Sequence, residues 1–379
     1  MATLITNCVQ YSGTMIAFLQ CFGNTTGYTT GLSYALQQLG FVLQADTYTA
    51  QWAAAAAIGN QALPISAGSL TPNSGSAAIP EYGSGYRSAI SSAHFKGAYN
   101  GATTYNLGDV VTFTVNSQPL VYICVHASTS GQAPMSYSAG AYTLNSTYWS
   151  PYYMEVWKFG TSGVYFKVEY GTSTTASQPT YCVQMGYTYS TGSSGYLSGQ
   201  TSNVMSSNTS SSSAVTLYTN YFTSDGQSYL GIIMWYGSSY CNLFCTELQI
   251  TGATSSAPVY GTAYWNAFYG NDTPYTQFFP ASGSVPTPQQ GVLGIFFNEQ
   301  SATQLFQGQS ALFPIFPQGG GYMGNPMTVA ATVNAEDWAS NSVLQGLVYG
   351  SNHNYLILGG APFSDWFSSG GPSGAIRWE

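Results

Sequence analysis

Val110-Val-Thr-Phe-Thr-Val115, Asn116-Ser-Gln-Pro119 and Leu120-Val-Tyr-Ile-Cys-Val125 follow one another without a break. Two runs rich in β-branched and aromatic residues flank four residues of turn chemistry, which reads as a β-hairpin. The same grammar recurs downstream. Val164-Tyr-Phe-Lys-Val-Glu-Tyr170 alternates: Val164, Phe166, Val168 and Tyr170 share one face, and Lys167 and Glu169 lie on the other. Glu169 there reads as a surface or interface ion pair. Tyr181–Met185, Ala214–Tyr218, Tyr229–Tyr236, Val259–Phe268, Val292–Phe297 and Tyr355–Leu358 continue as strands, separated by Gly, Pro or Asn. The chain is therefore mainly β, with antiparallel sandwich- or jelly-roll-like domains expected.

Upstream of the hairpin the period changes. Leu32, Ala35, Leu36 and Leu39 recur at three- and four-residue steps, and Gly40 follows. This predicts one short helix near 28–40 with a glycine stop, then a strand over Phe41-Val-Leu. Gln51–Tyr86, rich in Ala, Ser, Gly and Pro, reads as a loop with one helical turn around Trp52–Ala57. Thr201–Ser213 reads as a long hairpin loop or partner-facing arm, and Asn334-Ala-Glu-Asp-Trp-Ala as a short capped helix. The organisation that results has an N-terminal assembly region (1–93), a small β module (94–152) and a large β domain (153–379).

Composition sets the surface chemistry. Of 379 residues only 5 are Lys or Arg, whereas 32 are Tyr. Charged residues make up 5% of the chain, against about 25% in a typical domain. A neutral, hydroxyl- and amide-rich surface loses little solvation when pressed against protein, and tyrosine brings apolar area with a polar tip. Such a surface suits a subunit of a large assembly. The net charge of −8 offers no basic patch, so nucleic-acid binding is not expected. The first residues lack the basic start of a secretory signal, and Met15-Ile-Ala-Phe-Leu is too short to span a bilayer. The six cysteines are too scattered for a disulfide scaffold and read as buried free thiols; Cys241-x3-Cys245 lacks a second metal-ligand pair. No G-x-S-x-G, H-E-x-x-H or P-loop occurs, so no catalytic residue, metal site or cofactor is assigned.

The segment around the hairpin carries the most specific pattern: Thr103-Thr-Tyr-Asn-Leu-Gly-Asp-Val110, the central Tyr122, Gly131-Gln-Ala-Pro134 and Tyr148-Trp149. It resembles the small three-stranded carbohydrate-binding modules of chitinases, which recur in bacteriophage tail and fibre proteins. Where the chitin-binding versions place exposed tryptophans, this chain has Ile123-Cys-Val-His-Ala127. The resemblance implies Tyr105, His126, Tyr137, Tyr148 and Trp149 as carbohydrate-contacting candidates; the alternative is that these aromatics form the core of a small domain. Leu36–Trp52, Tyr153-Met-Glu-Val-Trp-Lys-Phe159, Val164–Gly171, Gln178-Pro-Thr-Tyr181 and Gly192–Gln200 resemble parts of a family of tailed-phage virion proteins. That likeness implies a virion structural protein, whose partners are other virion proteins, further copies of itself (a trimer or higher oligomer) and a host-surface glycan. A receptor-binding adhesin recognising carbohydrate is the alternative, and a polysaccharide-degrading tailspike a third.

Overall fold

The computed structural model describes residues 2–5, 7–14, 31–47, 78–79, 81–82, 86–87, 94–139, 141–159, 164–173, 179–186, 188–189, 197–198, 205–208, 214–224, 227–236, 239–247, 258–266, 275–280, 289–290, 313–315, 318–319, 322–323, 327–333, 343–348, 351–357 and 373–379. Strands in antiparallel sheets dominate, and among the described residues there is one helix. The expected strand at Val292–Phe297 and helical turns at Trp52–Ala57 and Asn334–Ala339 lie outside the described residues. The chain divides into two compact units, residues 14–213 and residues 1–13 with 214–379.

In the first unit the helix is Gly31–Gln38. Its buried residues include Leu32, Ala35 and Leu36, the stripe that the spacing predicts. The stop is a paired-bond cap: the Gly40 amide donates to the Gln37 carbonyl and the Phe41 amide to Leu36, each at 3.0 Å. Gly40 takes φ +84°, where a side chain would be strained.

The chain then enters a sheet ordered Met205–Asn208, Pro179–Gly186, Val164–Ser173, Tyr153–Phe159 and Val42–Asp46, with Ala78–Ile79 pairing in parallel on Val164–Ser173. Thr201–Ser213 thus contributes an edge strand where a loop or arm is expected, because Thr180–Val183 offers it a hydrogen-bonding edge. Register settles which residues share a face. Glu155 lies opposite Val168, and Val168 opposite Val183; Val156 lies opposite Lys167, and Lys167 opposite Gln184. The Glu155 face receives the helix, through Ser33 Oγ donating to the Glu155 carboxylate and Phe41 stacking on Phe159.

The Lys167 face receives the module. Its sheet is ordered Trp149–Pro151, Gln118–Cys124, Val110–Val115 and Phe95–Ala98. The first three are the antiparallel strands of the expected module, and Phe95–Ala98 adds a fourth, parallel to Val110–Val115. Alternation along the hairpin supplies two cores. Val111, Val115, Leu120, Tyr122 and Cys124 pack with Tyr105, Met135 and Trp149 inside the module. Val110, Val121 and Ile123 point the other way and pack with Tyr152, Met154 and Val156. Tyr152 joins the module's last strand to the next strand of the larger sheet, so one chain segment feeds both.

The second unit carries a sheet of eight strands, in which Ala2–Ile5 and Cys8–Thr14 lie beside Ala214–Ser224, Gln227–Tyr236, Ser239–Glu247, Pro258–Asn266, Tyr275–Pro280 and Gln289–Gln290. A five-stranded sheet runs Phe313–Ile315, Met327–Val333, Ser373–Arg377, Ser351–Ile357 and Val343–Val348. The Asn220 amide donates to the Arg377 carbonyl at 2.9 Å, and the Arg377 guanidinium stacks over Phe222 at 3.8 Å.

Candidate functional site

The motif residues of the module hold its loops in place. Gly108 takes φ 88°, and its amide reaches the Cys124 carbonyl at 2.8 Å. Asp109 is buried; its carboxylate accepts the Asn106 amide at 2.9 Å and meets His94 Nδ1 at 3.1 Å and Lys96 Nζ at 3.6 Å. A Gly-Asp pair is needed here because the backbone must turn left-handed and the freed amide needs an acceptor. Tyr105 accepts the Asn100 amide at 2.7 Å and donates to its carbonyl at 3.2 Å, and Trp149 Nε1 donates to Gln132 at 2.6 Å.

Tyr105 and Trp149 are brought together, ring centroids 5.3 Å apart, at 1% and 0% exposure. Neither ring shows a face to solvent. Of the other three candidates, His126 and Tyr137 are exposed and Tyr148 is half-buried against the module core; they form two groups. His126 meets Tyr148 edge-on at 5.0 Å, and His126 Nδ1 donates to the Ala127 carbonyl at 2.8 Å. Tyr137, 65% exposed, lies directly opposite Tyr142 on the Met135–Ser138/Ala141–Leu144 hairpin, with centroids 4.7 Å apart. Tyr142 was not among the expected residues; its placement in Tyr137-Ser-Ala-Gly-Ala-Tyr142, equidistant with Tyr137 from the Ala-Gly pair in the sequence, is the signal that would have found it.

The larger sheet holds two carboxylates away from water. Glu155 accepts from Ser33 and from Trp157 Nε1, the latter at 2.9 Å. Glu169 pairs with Lys167 at 2.6 Å, and the Tyr152 hydroxyl donates to the same oxygen. Both partners of that pair are fully buried, which corrects the expected surface or interface ion pair: the module covers this face of the sheet. Glu155 and Glu169 lie on opposite faces, so they do not flank one bond as a glycosidase pair must. Asp225, Asp272, Glu299 and Asp365 lie outside the residues whose side chains are described.

In the second unit, His353 Nδ1 meets Glu379 at 2.9 Å and the Arg377 guanidinium meets it at 2.5 Å. Burial, then the neighbouring Arg377, hold His353 below the ordinary histidine value, so its neutral ring donates a hydrogen bond at neutral pH. Burial alone would raise Glu379, but the Asn354 amide, Arg377 and His353 outweigh it and hold the carboxyl low. The Cys8 thiol is pushed up to about 12 by burial, and Cys124 is raised for the same reason, so both are poor nucleophiles at neutral pH. Among the described residues no three His, Cys, Asp or Glu gather as a metal site, and no helix is long and apolar enough to cross a membrane. The chain matches no protein-family model, no curated protein and no solved structure.

Proposed function

We propose that this chain is a structural subunit of a tailed-bacteriophage virion, in the tail, baseplate or fibre or projecting from the head, assembled in the host cytoplasm and exposed in the mature particle. Its neutral, tyrosine-rich β surfaces bind further copies and neighbouring virion proteins, and the module touches host-surface glycan weakly, with avidity from many copies. Support comes from where the charges lie. Among charged residues with described side chains, Asp109, Glu155, Lys167, Glu169 and Arg377 are buried, Asp46, Lys158 and Glu379 are half-buried, and Lys96 is exposed. Buried ions are unusual in soluble proteins. Here they leave the described surface still more neutral than the composition, and a neutral face is the kind that associates with little desolvation cost.

The test is light scattering of the purified chain across ionic strength. Assembly by neutral surfaces gives an oligomer whose mass and dissociation constant hold from low to high salt, whereas charge-driven contacts weaken as the Debye length shrinks. A monomer at all concentrations and salts, with no place in a map of an intact particle, would sink the proposal. Exposed Tyr137, set against half-buried Tyr142, favours a second reading, the carbohydrate-recognising adhesin. In that case glycan-array binding is present and is lost in Tyr137→Ala.

A further inference from the structure

Lys167 and Gln184 face one another on neighbouring antiparallel strands, Val164–Ser173 and Pro179–Gly186. Both side chains rise from the face that the module covers, and both are fully buried. Directly opposed residues have Cβ atoms about 4.5–5.5 Å apart, well within the combined reach of a lysine amine and a glutamine carboxamide. Glu169, two residues along the same strand and on the same face, holds Oε1 2.6 Å from Lys167 Nζ. The rings of Phe95 and Tyr152 lie 5.3 and 6.0 Å from Nζ and close the site with apolar surface. Nucleophile, acyl group and proton carrier therefore lie buried together on one face of the sheet.

We propose that Lys167 and Gln184 join in an intramolecular isopeptide bond, with Glu169 moving the protons. One proton passes from Nζ to Glu169 Oε1, leaving a neutral amine and a neutral acid. The amine lone pair attacks Cδ of Gln184, the new C–N bond forms, and the carbonyl pair moves onto Oε1. Glu169 delivers its proton to the amide nitrogen and takes one from the new bond's nitrogen. The old C–N bond breaks, the carbonyl re-forms, and ammonia leaves, carrying the last proton as ammonium or leaving it on Glu169. No oxidant, metal or cofactor is required. The Tyr152 hydroxyl, donating to the same Glu169 oxygen, positions the carboxylate. The bond would tie the central strands of the sheet covalently, and it does not depend on the virion reading.

Intact-mass spectrometry of the folded, full-length chain tests this. The expected mass is below the sequence mass by one molecule of ammonia. Chymotrypsin, cutting after Tyr170 and Tyr181, should then release the Lys167 and Gln184 segments as one joined peptide. Lys167→Met, Gln184→Met and Glu169→Gln should each show its own full sequence mass. Glu169→Gln keeps the shape of the side chain and guards against a variant that merely fails to fold. A wild-type chain at full sequence mass, or an ammonia deficit that survives in Gln184→Met, overturns the proposal.

Discussion

At the level of single residues, the module shows why a motif can be legible while its use is not. Asn116 and Ser117 form the two-residue turn of the hairpin at φ 48° and 64°. Both are in the left-handed region, which costs a residue with a Cβ roughly 1–2 kcal/mol. Ser117→Gly should therefore stabilise the chain, by up to about 1 kcal/mol after glycine's extra unfolded-state entropy is subtracted. A rise in the urea midpoint at unchanged slope would confirm it. Trp149→Ala is the opposite case: it opens a cavity and removes the bond to Gln132, and should cost about 3–5 kcal/mol. Tyr137→Ala, on the exposed hairpin, should change stability by no more than about 0.5 kcal/mol while weakening whatever contact that pair makes. Comparing the two variants by denaturation and by binding separates scaffold from surface.

At the level of elements, the periods in the sequence carry through. The helix stripe and glycine stop occur as their spacing predicts, and the hairpin forms with its face alternation, its turn reduced to Asn116-Ser117 with Gln118 and Pro119 in the second strand. Strand alternation alone does not say what covers each face. Lys167 and Glu169 read as an outward face because charged residues usually meet water, yet the module closes over them. The Gly-Asp turn is an element-scale device too: Asp109→Ala strips the Asn106 amide, His94 and Lys96 of their acceptor. The expected cost is about 1–3 kcal/mol, seen as faster amide exchange in residues 106–112 than elsewhere in the module. Uniform exchange across the module in that variant would contradict it.

At the scale of the whole molecule, two compact units are built from one chain, and the first strands of the sequence pair beside strands more than two hundred residues away. The Arg377–Glu379–His353 cluster gives the second unit a pH dependence. A carboxyl whose pKa is lower folded than unfolded binds fewer protons in the folded state, so its stabilisation is full above the ordinary value of 4.5 and drains as pH falls through the folded value. His353, lowered from 6.5, acts in the same sense: its contribution is full above 6.5 and lost on acidification. Stability should fall as pH drops, and the gap between wild type and Glu379→Gln should close in acid. Urea midpoints across pH check this, and a gap that widens in acid refutes it.

Local spacing determined the β class, the helix and its stop, the hairpin and the turn residues, because propensity, alternation and left-handed glycine depend on neighbours along the chain. Composition likewise determined a surface poor in charge. Which aromatics became core and which stayed outside was decided only by tertiary structure. Tyr105 and Trp149 vanish into the module while Tyr137 remains 65% exposed, though all three sit in similar sequence surroundings. Burial of Lys167, Glu169 and Gln184 was decided the same way. Burial is a property of what packs on a face, and here the covering strands come from elsewhere in the chain.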